Sequence, residues 1–380
     1  MPASGTAGLQ RSSVSGCKRV PRPPPMITAS TRFWVVVILE IWILGVAKAL
    51  PDVCTRSTFR QFFRPSRAPM SHILVTGAAG FIGSHTVEQL LAAGHRVTGI
   101  DSFRTGHRAN LANALREPAF ALHETDVAAA GTVDALVAAA RPDAVIHLAA
   151  LVSVQESMLH PDLNYTLNVH AVQLVAEAAR RHGVPRLVFA SSAAIYGDSP
   201  VLPLHEGVPA QPISPYGAAK AASEVLLLGY ARSFGLTVRC QRYFNVFGPR
   251  QDPASPYSGV ISIFNRRYRE GRGVTIYGDG GQTRDFVSVH DVARANVLAA
   301  TRAGIPSGVA NICTGRATSL REVVAEFARH FPAVPKAEFA AARPGDIVHS
   351  RGTAILAERE LGFQAQVPVA DGLAELIRLP

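Results

Sequence analysis

The sequence predicts an α/β fold built on a doubly wound parallel sheet, with a smaller C-terminal domain completing it. Three observations lead there. Short apolar runs alternate with helical stretches from residue 72 to residue 241, a glycine-rich turn joins the first strand to the first helix, and an acid closes the second strand. His72-Ile73-Leu74-Val75 is the first strand, followed by the turn Thr76-Gly77-Ala78-Ala79-Gly80-Phe81-Ile82-Gly83. The stretch 84–93 reads as a helix ended by Gly94, and 96–100 as a second strand closed by Asp101. Further along, 144–148, 186–190 and 237–241 read as strands, and 163–182 and 213–234 as long helices. Strands that alternate with helices make a parallel sheet covered on both faces, and such sheets bind ligands beyond the carboxyl ends of their strands. A Rossmann-type sheet is therefore expected over residues 70–250. Residues 251–380 are expected to form mainly a substrate-binding domain, with parts returning to the sheet.

The chain has 380 residues, of which 48% are apolar and 17% charged, which provides for a sizeable core and excludes collagen-like, coiled-coil and wholly disordered classes. The formal charge of +10 is concentrated before residue 70, where ten Lys and Arg face only Glu40 and Asp52. The remainder is near neutral, so no nucleic-acid footprint is expected. The first 32 residues are rich in Pro, Ser and Arg and read as unstructured. Residues 33–50 (FWVVVILEIWILGVAKAL) form an apolar run of 18, about 27 Å long as a helix and at the lower bound for crossing a bilayer. Three readings stand for it: a leader without a folded role, a membrane anchor, or a cleaved signal ending at Ala47-Lys48-Ala49. Cytoplasmic placement follows from the first and membrane contact only from the second. The four cysteines show no metal-ligand spacing, Cys240 and Cys313 read as buried apolar residues, and no metal is expected.

The glycine turn has a specific use. Gly77 allows the tight turn, Gly80 lets backbone approach a phosphate, and Gly83 lets the helix pack on the strand, so a pyrophosphate can rest on the helix N-terminus. Asp101, 18 residues beyond Gly83, can accept hydrogen bonds from a ribose 2′-hydroxyl and would repel a 2′-phosphate. NAD is thereby favoured over NADP. Downstream, Ser191 and Ser192 end an apolar strand, and Ser214-Pro215-Tyr216-Gly217-Ala218-Ala219-Lys220 opens a helix. Pro215 suits the first turn, and Tyr216 and Lys220 then share one face at i and i+4. A phenol is a poor base at neutral pH, but a cation one turn away together with an oxidised nicotinamide ring would favour the phenolate. Ser192 can hold a substrate hydroxyl or carbonyl in line.

In order, the chain carries the motifs TGAAGFIGSH (76–85), HLAA (147–150), SSAAIYG (191–197), SPYGAAK (214–220), RYFNVFGPRQDP (242–253), PYSGVIS (256–262), GDGGQTRDF (278–286) and RPGDIVHS (343–350). With them the chain from about Met70 onward resembles the extended short-chain dehydrogenase/reductase family, specifically its NAD-dependent nucleotide-sugar 4-epimerases. The resemblance implies Ser192, Tyr216 and Lys220 as catalytic residues. It implies an NAD site of Gly77, Gly80, Phe81, Ile82, Gly83, Asp101, Asp126, Val127, Leu148, Ala149, Ala150, Asn168, Tyr216, Lys220 and Phe244. The UDP-sugar is implied to meet Ser192, Asn245, Val260, Tyr277, Arg284, Arg343, Asp346 and Ser350. Arg284 and Arg343 carry planar forks suited to a pyrophosphate. A bulky Tyr at the position of Ser350 goes with UDP-glucose and UDP-galactose alone, whereas a small residue leaves room for a 2-N-acetyl group. The resemblance also implies a homodimer through the helices near 164–182 and 213–234.

Alternatives within and beyond this family remain. Related 4,6-dehydratases carry Thr-Asp-Glu, and decarboxylases a Glu, just after the serine strand, where this chain has Ala193 and Ala194. A catalytically silent NAD-binding module, or a membrane-anchored component of polymer synthesis, would use the same cofactor site.

Overall fold

The computed structural model describes residues 70–252, 259–342 and 347–379. The extension 1–69, Arg343 and Asp346 lie outside the described residues, and parts of three of the quoted motifs do so too. Strands β1 (His72–Thr76), β2 (Arg96–Asp101), β3 (Phe120–Glu124), β4 (Ala144–His147), β5 (Arg186–Ser192), β6 (Thr237–Tyr243) and β7 (Gly308–Ile312) form one sheet. Its spatial order is β7-β6-β5-β4-β1-β2-β3, with every neighbouring pair parallel. The order reverses between β1 and β4, which is where an open parallel sheet offers a ligand crevice.

Alternating side chains divide the strands between two cores. Ile73, Val75, Ala144, Ile146 and Val188 face one side, together with Val87 and Leu90 of helix α1 (Phe81–Ala92). Leu74, Val145, Leu187 and Phe189 face the other, against helices α2 (Thr132–Ala140), α3 (Ala171–Arg181) and α4 (Pro215–Phe234). The period of two with both faces apolar is what a sheet sandwiched between helices demands. On the first face Val292, Ala295 and Ala299 pack from helix α6 (Val289–Thr301), which follows α5 (Val260–Arg269) in the chain. A separate cluster joins Phe264 and Tyr268 of α5, Phe327 of α7 (Leu320–His330) and Leu373 of α8 (Val369–Arg378).

Several elements differ from the sequence expectation. Helix α1 begins at Phe81, inside the glycine turn, because Gly80 is its extended N-cap. Strands β5 and β6 run past their apolar cores to Ser192 and Tyr243, since pairing continues as Ser191↔Arg242 and Ser192↔Tyr243. The expected helix over 163–182 is interrupted: a short helix, Pro161–Tyr165, passes into a π turn, Thr166–His170, before α3. That turn places the carbonyl of Asn168 to accept from Ser223 Oγ at 2.6 Å, a side-chain partner that suits a local change of helix register. Strand β3 (FALHE) is largely exposed and carries no apolar signature because it is an edge. No helix among the described residues is long and apolar enough to cross a membrane, and residues 33–50 lie outside them.

Candidate active site

The glycine loop is fixed by contacts that only glycine permits. Gly77 has φ of +68°, and a Cβ on Gly83 would lie 1.9 Å from the Gly77 carbonyl oxygen. The start of α1 is open to an anion, because Gly80 makes no side-chain cap bond and the first turn holds no acid. Such a start fits a pyrophosphate. Beside the loop, Asp101 ends β2, with Oδ2 accepting from the Ala79 amide at 2.8 Å and Oδ1 from the Phe103 amide at 2.8 Å. A carboxylate has lone pairs left after two bonds, so it can still accept from a ribose. Asp126 follows β3, exposed, and its neighbour Val127 is buried. The Thr125 amide donates to the Asp101 carbonyl, which brings Asp126 to the same edge.

Leu148, Ala149 and Ala150 continue from β4 across from this loop. The amides of Leu148 and Ala149 lie 3.2 Å from Thr76 Oγ1, which also lies 2.7 Å from Nδ1 of buried His147. Asn168 is fully buried. Its amide oxygen accepts from the Leu151 N–H at 3.1 Å and its nitrogen donates to the Leu151 carbonyl at 2.8 Å. It thereby fixes Leu151 at the end of the 148–151 loop.

The catalytic helix is anchored at its start. Ser214 caps α4 by accepting from the Gly217 amide at 3.2 Å, and the Tyr216 amide donates to Ser157 Oγ at 3.1 Å. Asn164 donates to the Pro215 carbonyl at 3.1 Å, so the segment before α3 holds the turn that carries Tyr216. Lys220 is buried, with Nζ donating to the Ala190 carbonyl at 2.8 Å, 4.8 Å over the Phe189 ring and 5.9 Å from the centre of the Tyr216 ring. Burial pulls the Lys220 pKa down to about 7, partly opposed by the Glu224 carboxylate one turn on. Burial pushes the Tyr216 phenol up, and a hydrogen bond from the Ser192 hydroxyl pulls it back. Without a cofactor beside it, the phenol is governed by its burial. The ammonium turns to a backbone carbonyl, and desolvation of the phenol outweighs it.

The alternation of β5 separates its two serines. Ser192 Oγ accepts from the Ala194 amide at 3.2 Å and faces Tyr216, whereas Ser191 is buried and donates to Glu224 at 2.6 Å. Glu224 also takes a bidentate bond from Arg242, Nε–Oε1 2.9 Å and Nη2–Oε2 2.6 Å. Phe244 follows β6, buried, with its amide on the Ile312 carbonyl at 3.2 Å.

Past β6 the chain brings several proposed substrate residues together. Asn245 opens a short strand, Asn245–Phe247, that pairs with Phe286–Ser288, and its amide donates to the Asp285 carbonyl at 3.1 Å. Arg284 is the register partner of Ser350, in the strand pair Thr283–Arg284 and His349–Ser350. Tyr277 ends a strand paired with Glu338–Ala340, and its carbonyl accepts from Gln282 at 2.8 Å. Val260 begins α5 and packs on the C-terminal cluster. Between these strands, buried Asp285 accepts from the Thr314 amide at 2.8 Å, the Thr314 hydroxyl at 2.6 Å, the Gly315 amide at 2.9 Å and the Gly352 amide at 3.3 Å. Sequence reasoning passed over Asp285, Arg242 and Glu224. Only Glu224 carried a signal, as the next i+4 position on the Tyr216–Lys220 face.

A parallel sheet whose carboxyl edge bears an anion-binding glycine loop on one side of the switch point and a Ser, Tyr, Lys constellation on the other defines a dinucleotide-dependent enzyme. The chain belongs to the NAD dependent epimerase/dehydratase family, whose profile matches residues 73–313. It is 41% identical over 308 residues to a UDP-glucose 4-epimerase of Mycolicibacterium smegmatis, a match covering 80% of this chain and 96% of that one. Among solved structures it is similar to the UDP-glucose 4-epimerase of Thermus thermophilus in complex with NAD, with TM-score 0.73 and 38% identity over 80% of this chain and 97% of that one. It is also similar to a UDP-N-acetylglucosamine 4-epimerase of Methanobrevibacter ruminantium in complex with UDP-N-acetylmuramic acid, with TM-score 0.77 and 34% identity over 81% and 97%. Among the described residues no group of His, Cys, Asp and Glu is placed to hold a metal ion.

Proposed function

We propose that this chain is an NAD-dependent 4-epimerase of UDP-sugars, acting on UDP-glucose and UDP-galactose and also on their 2-N-acetylated counterparts. One observation carries the reading: Ser192 ends β5 facing the Tyr216 phenol, with Lys220 one turn further along the same helix, at the carboxyl edge of the sheet that bears the glycine loop. NAD is held by the open N-terminus of α1, by Asp101 and by the 148–150 loop. When bound it supplies a reversible hydride acceptor and, oxidised, a positive charge beside the phenol. Tyr216 takes the proton of the sugar 4-hydroxyl at its own oxygen and later returns it, acting as general base and then general acid. Ser192 holds the reacting oxygen in line. Asn245, Arg284 and Arg343 grip the UDP, so that the 4-keto sugar can turn over between the two half-reactions without leaving. Residues 70–250 serve the cofactor and 251–380 mainly the substrate.

Elimination of water across C5 and C6 needs an acid and a base beside the serine, and Ala193 and Ala194 offer neither, which disfavours the dehydratase alternative. Ser350, small and in register with Arg284, supports room for an N-acetyl group. Exposed Tyr165 at 58%, Ile213 at 62% and Val225 at 74% lie on or beside the helices expected at a homodimer interface, and they support that assembly. The need for cellular NAD and UDP-sugars supports a cytoplasmic site of action.

The test is a panel of UDP-glucose, UDP-galactose, UDP-N-acetylglucosamine and UDP-N-acetylgalactosamine, each incubated with purified protein and NAD and resolved by chromatography. Interconversion within both pairs is expected. Absence of any interconversion rejects the epimerase reading, and turnover of the plain sugars alone rejects the wider specificity.

A further inference from the structure

The face of α4 that carries Tyr216 and Lys220 bears a third member at the same spacing. Glu224 is buried (4% exposed) and so is its partner Arg242 (6%). Its carboxylate accepts from Ser191 Oγ on β5 and from both arms of the Arg242 guanidinium on β6. Ser191 directly precedes Ser192, and Arg242 is its register partner across the two strands. Arg242 in turn lies 4.8 Å over the ring of Tyr196, whose hydroxyl donates to Asn311 on β7 at 2.6 Å. One carboxylate therefore ties the catalytic helix to the ends of two adjacent strands, and through Arg242 to a third.

Stability alone does not account for such a pair. Taking two charges out of water costs several kcal/mol, and apolar residues of the same volume often hold a core as well or better. Arg242 also keeps a buried Nη1 with no hydrogen-bond partner, which an apolar packing would avoid. What an apolar pair lacks is direction: it cannot fix the end of β5 to within the few tenths of an ångström that a proton transfer between oxygens needs. Nor can it supply an anion to Lys220. The titratable and charged groups around that ammonium are Tyr216 and Glu224 on its own helix, His147 from β4 and, behind Glu224, Arg242 from β6. Burial and Lys220 itself hold His147 neutral, its pKa lowered to about 3.

We propose that Glu224 is a positioning residue for the reaction: it clamps the Ser192 end of β5 against Tyr216 and provides the buried negative charge that keeps Lys220 an ammonium. The inference rests on the epimerase reading above. Its effect reaches the substrate only through Ser192 and Lys220.

The test compares Glu224→Gln and Glu224→Asp with the parent, measuring kcat, KM, retained NAD and the pH profile of kcat with UDP-glucose. Glu224→Gln keeps the shape and the Ser191 bond but removes the charge. It lowers kcat by about 10- to 100-fold, as loss of a supporting partner does at other sites, with KM for UDP-glucose and bound NAD little changed. The alkaline limb of kcat, where the Lys220 ammonium is lost in the complex, moves to lower pH by about one unit. Glu224→Asp keeps the charge but shortens the reach to Ser191 and Arg242. It lowers kcat while leaving the alkaline limb in place, and it reports on the clamp even where the Gln variant does not fold. A folded Gln or Asp variant with kcat within twofold of the parent and an unmoved alkaline limb overturns the proposal. An inactive parent would reject the epimerase reading instead, so the two failures are distinguishable.

Discussion

Gly83→Ala puts a methyl group where the structure has no room. The added Cβ would lie 1.9 Å from the Gly77 carbonyl oxygen and 3.1 Å from Ala78 Cα, so either the turn or the start of α1 must move by about 1 Å. Both neighbours are backbone and cannot rotate aside. Forcing that much displacement in a packed region costs about 1–3 kcal/mol. If the whole displacement falls on the pyrophosphate cradle, cofactor affinity drops by roughly 5- to 150-fold. Gly80→Ala is the informative companion, because its Cβ meets only the Gly77 oxygen, at 3.2 Å. It is expected to leave stability nearly intact while its methyl group crowds a phosphate. NAD released on acid precipitation, together with thermal unfolding of cofactor-stripped protein, separates the two effects. Gly83→Ala loses both stability and cofactor, and Gly80→Ala mainly cofactor. A Gly83→Ala protein with stoichiometric NAD and the parent's Tm would refute the reasoning about the loop.

Three further outcomes are expected. Tyr216→Phe retains fold and bound NAD but loses turnover by at least about 100-fold in the UDP-glucose assay, and near-parental turnover would remove Tyr216 from its role. Ser350→Tyr lowers turnover of UDP-N-acetylglucosamine by about tenfold or more while UDP-glucose is still processed, and parallel losses on both sugars would show that size at this position is not the determinant. Burial holds Lys220 near 7, below its ordinary 10.5, so the unfolded chain binds more protons between those values and stability rises with pH across that window. In cofactor-stripped protein Lys220→Met is accordingly more stable than the parent below pH 7, by on the order of 3 kcal/mol, and the gap narrows toward pH 10. Thermal unfolding across that range checks it, and a difference independent of pH contradicts it.

What could be read in the chain beforehand follows the range of the interactions involved. The glycine turn, Asp101 and the Tyr216–Lys220 spacing are local patterns whose geometry the backbone dictates within one or two turns: Asp101 accepts from the Ala79 amide of the turn, and Tyr216 and Lys220 lie one turn apart on α4. The bonds that tie the Asn168 amide to Leu151, 17 residues away, arise from a π turn that no periodicity announces. Arg242 and Asp285 looked like ordinary polar positions because their partners, Glu224 on α4 and the amides of Thr314, Gly315 and Gly352, come from other parts of the chain. The pKa directions of Tyr216 and Lys220 depend on burial, which spacing does not reveal. Strands β3 and β7 lack the continuous apolar run of the central strands for related reasons: β3 is a largely exposed edge, and in β7 Gly308 and Asn311 break the apolar run.

Strand β7 also has a consequence for how the polypeptide is made. It comes from residues 308–312 yet pairs along β6, which ends at residue 243. If β6 pairs with β5 while the intervening 64 residues are still being made, its outer side exposes a bare row of amides and carbonyls. A nascent chain stalled in that interval is a template for pairing with its neighbours. Release from synthesis before residue 312 should therefore yield insoluble protein, even though every group of the glycine loop and of the Ser, Tyr, Lys set has already emerged.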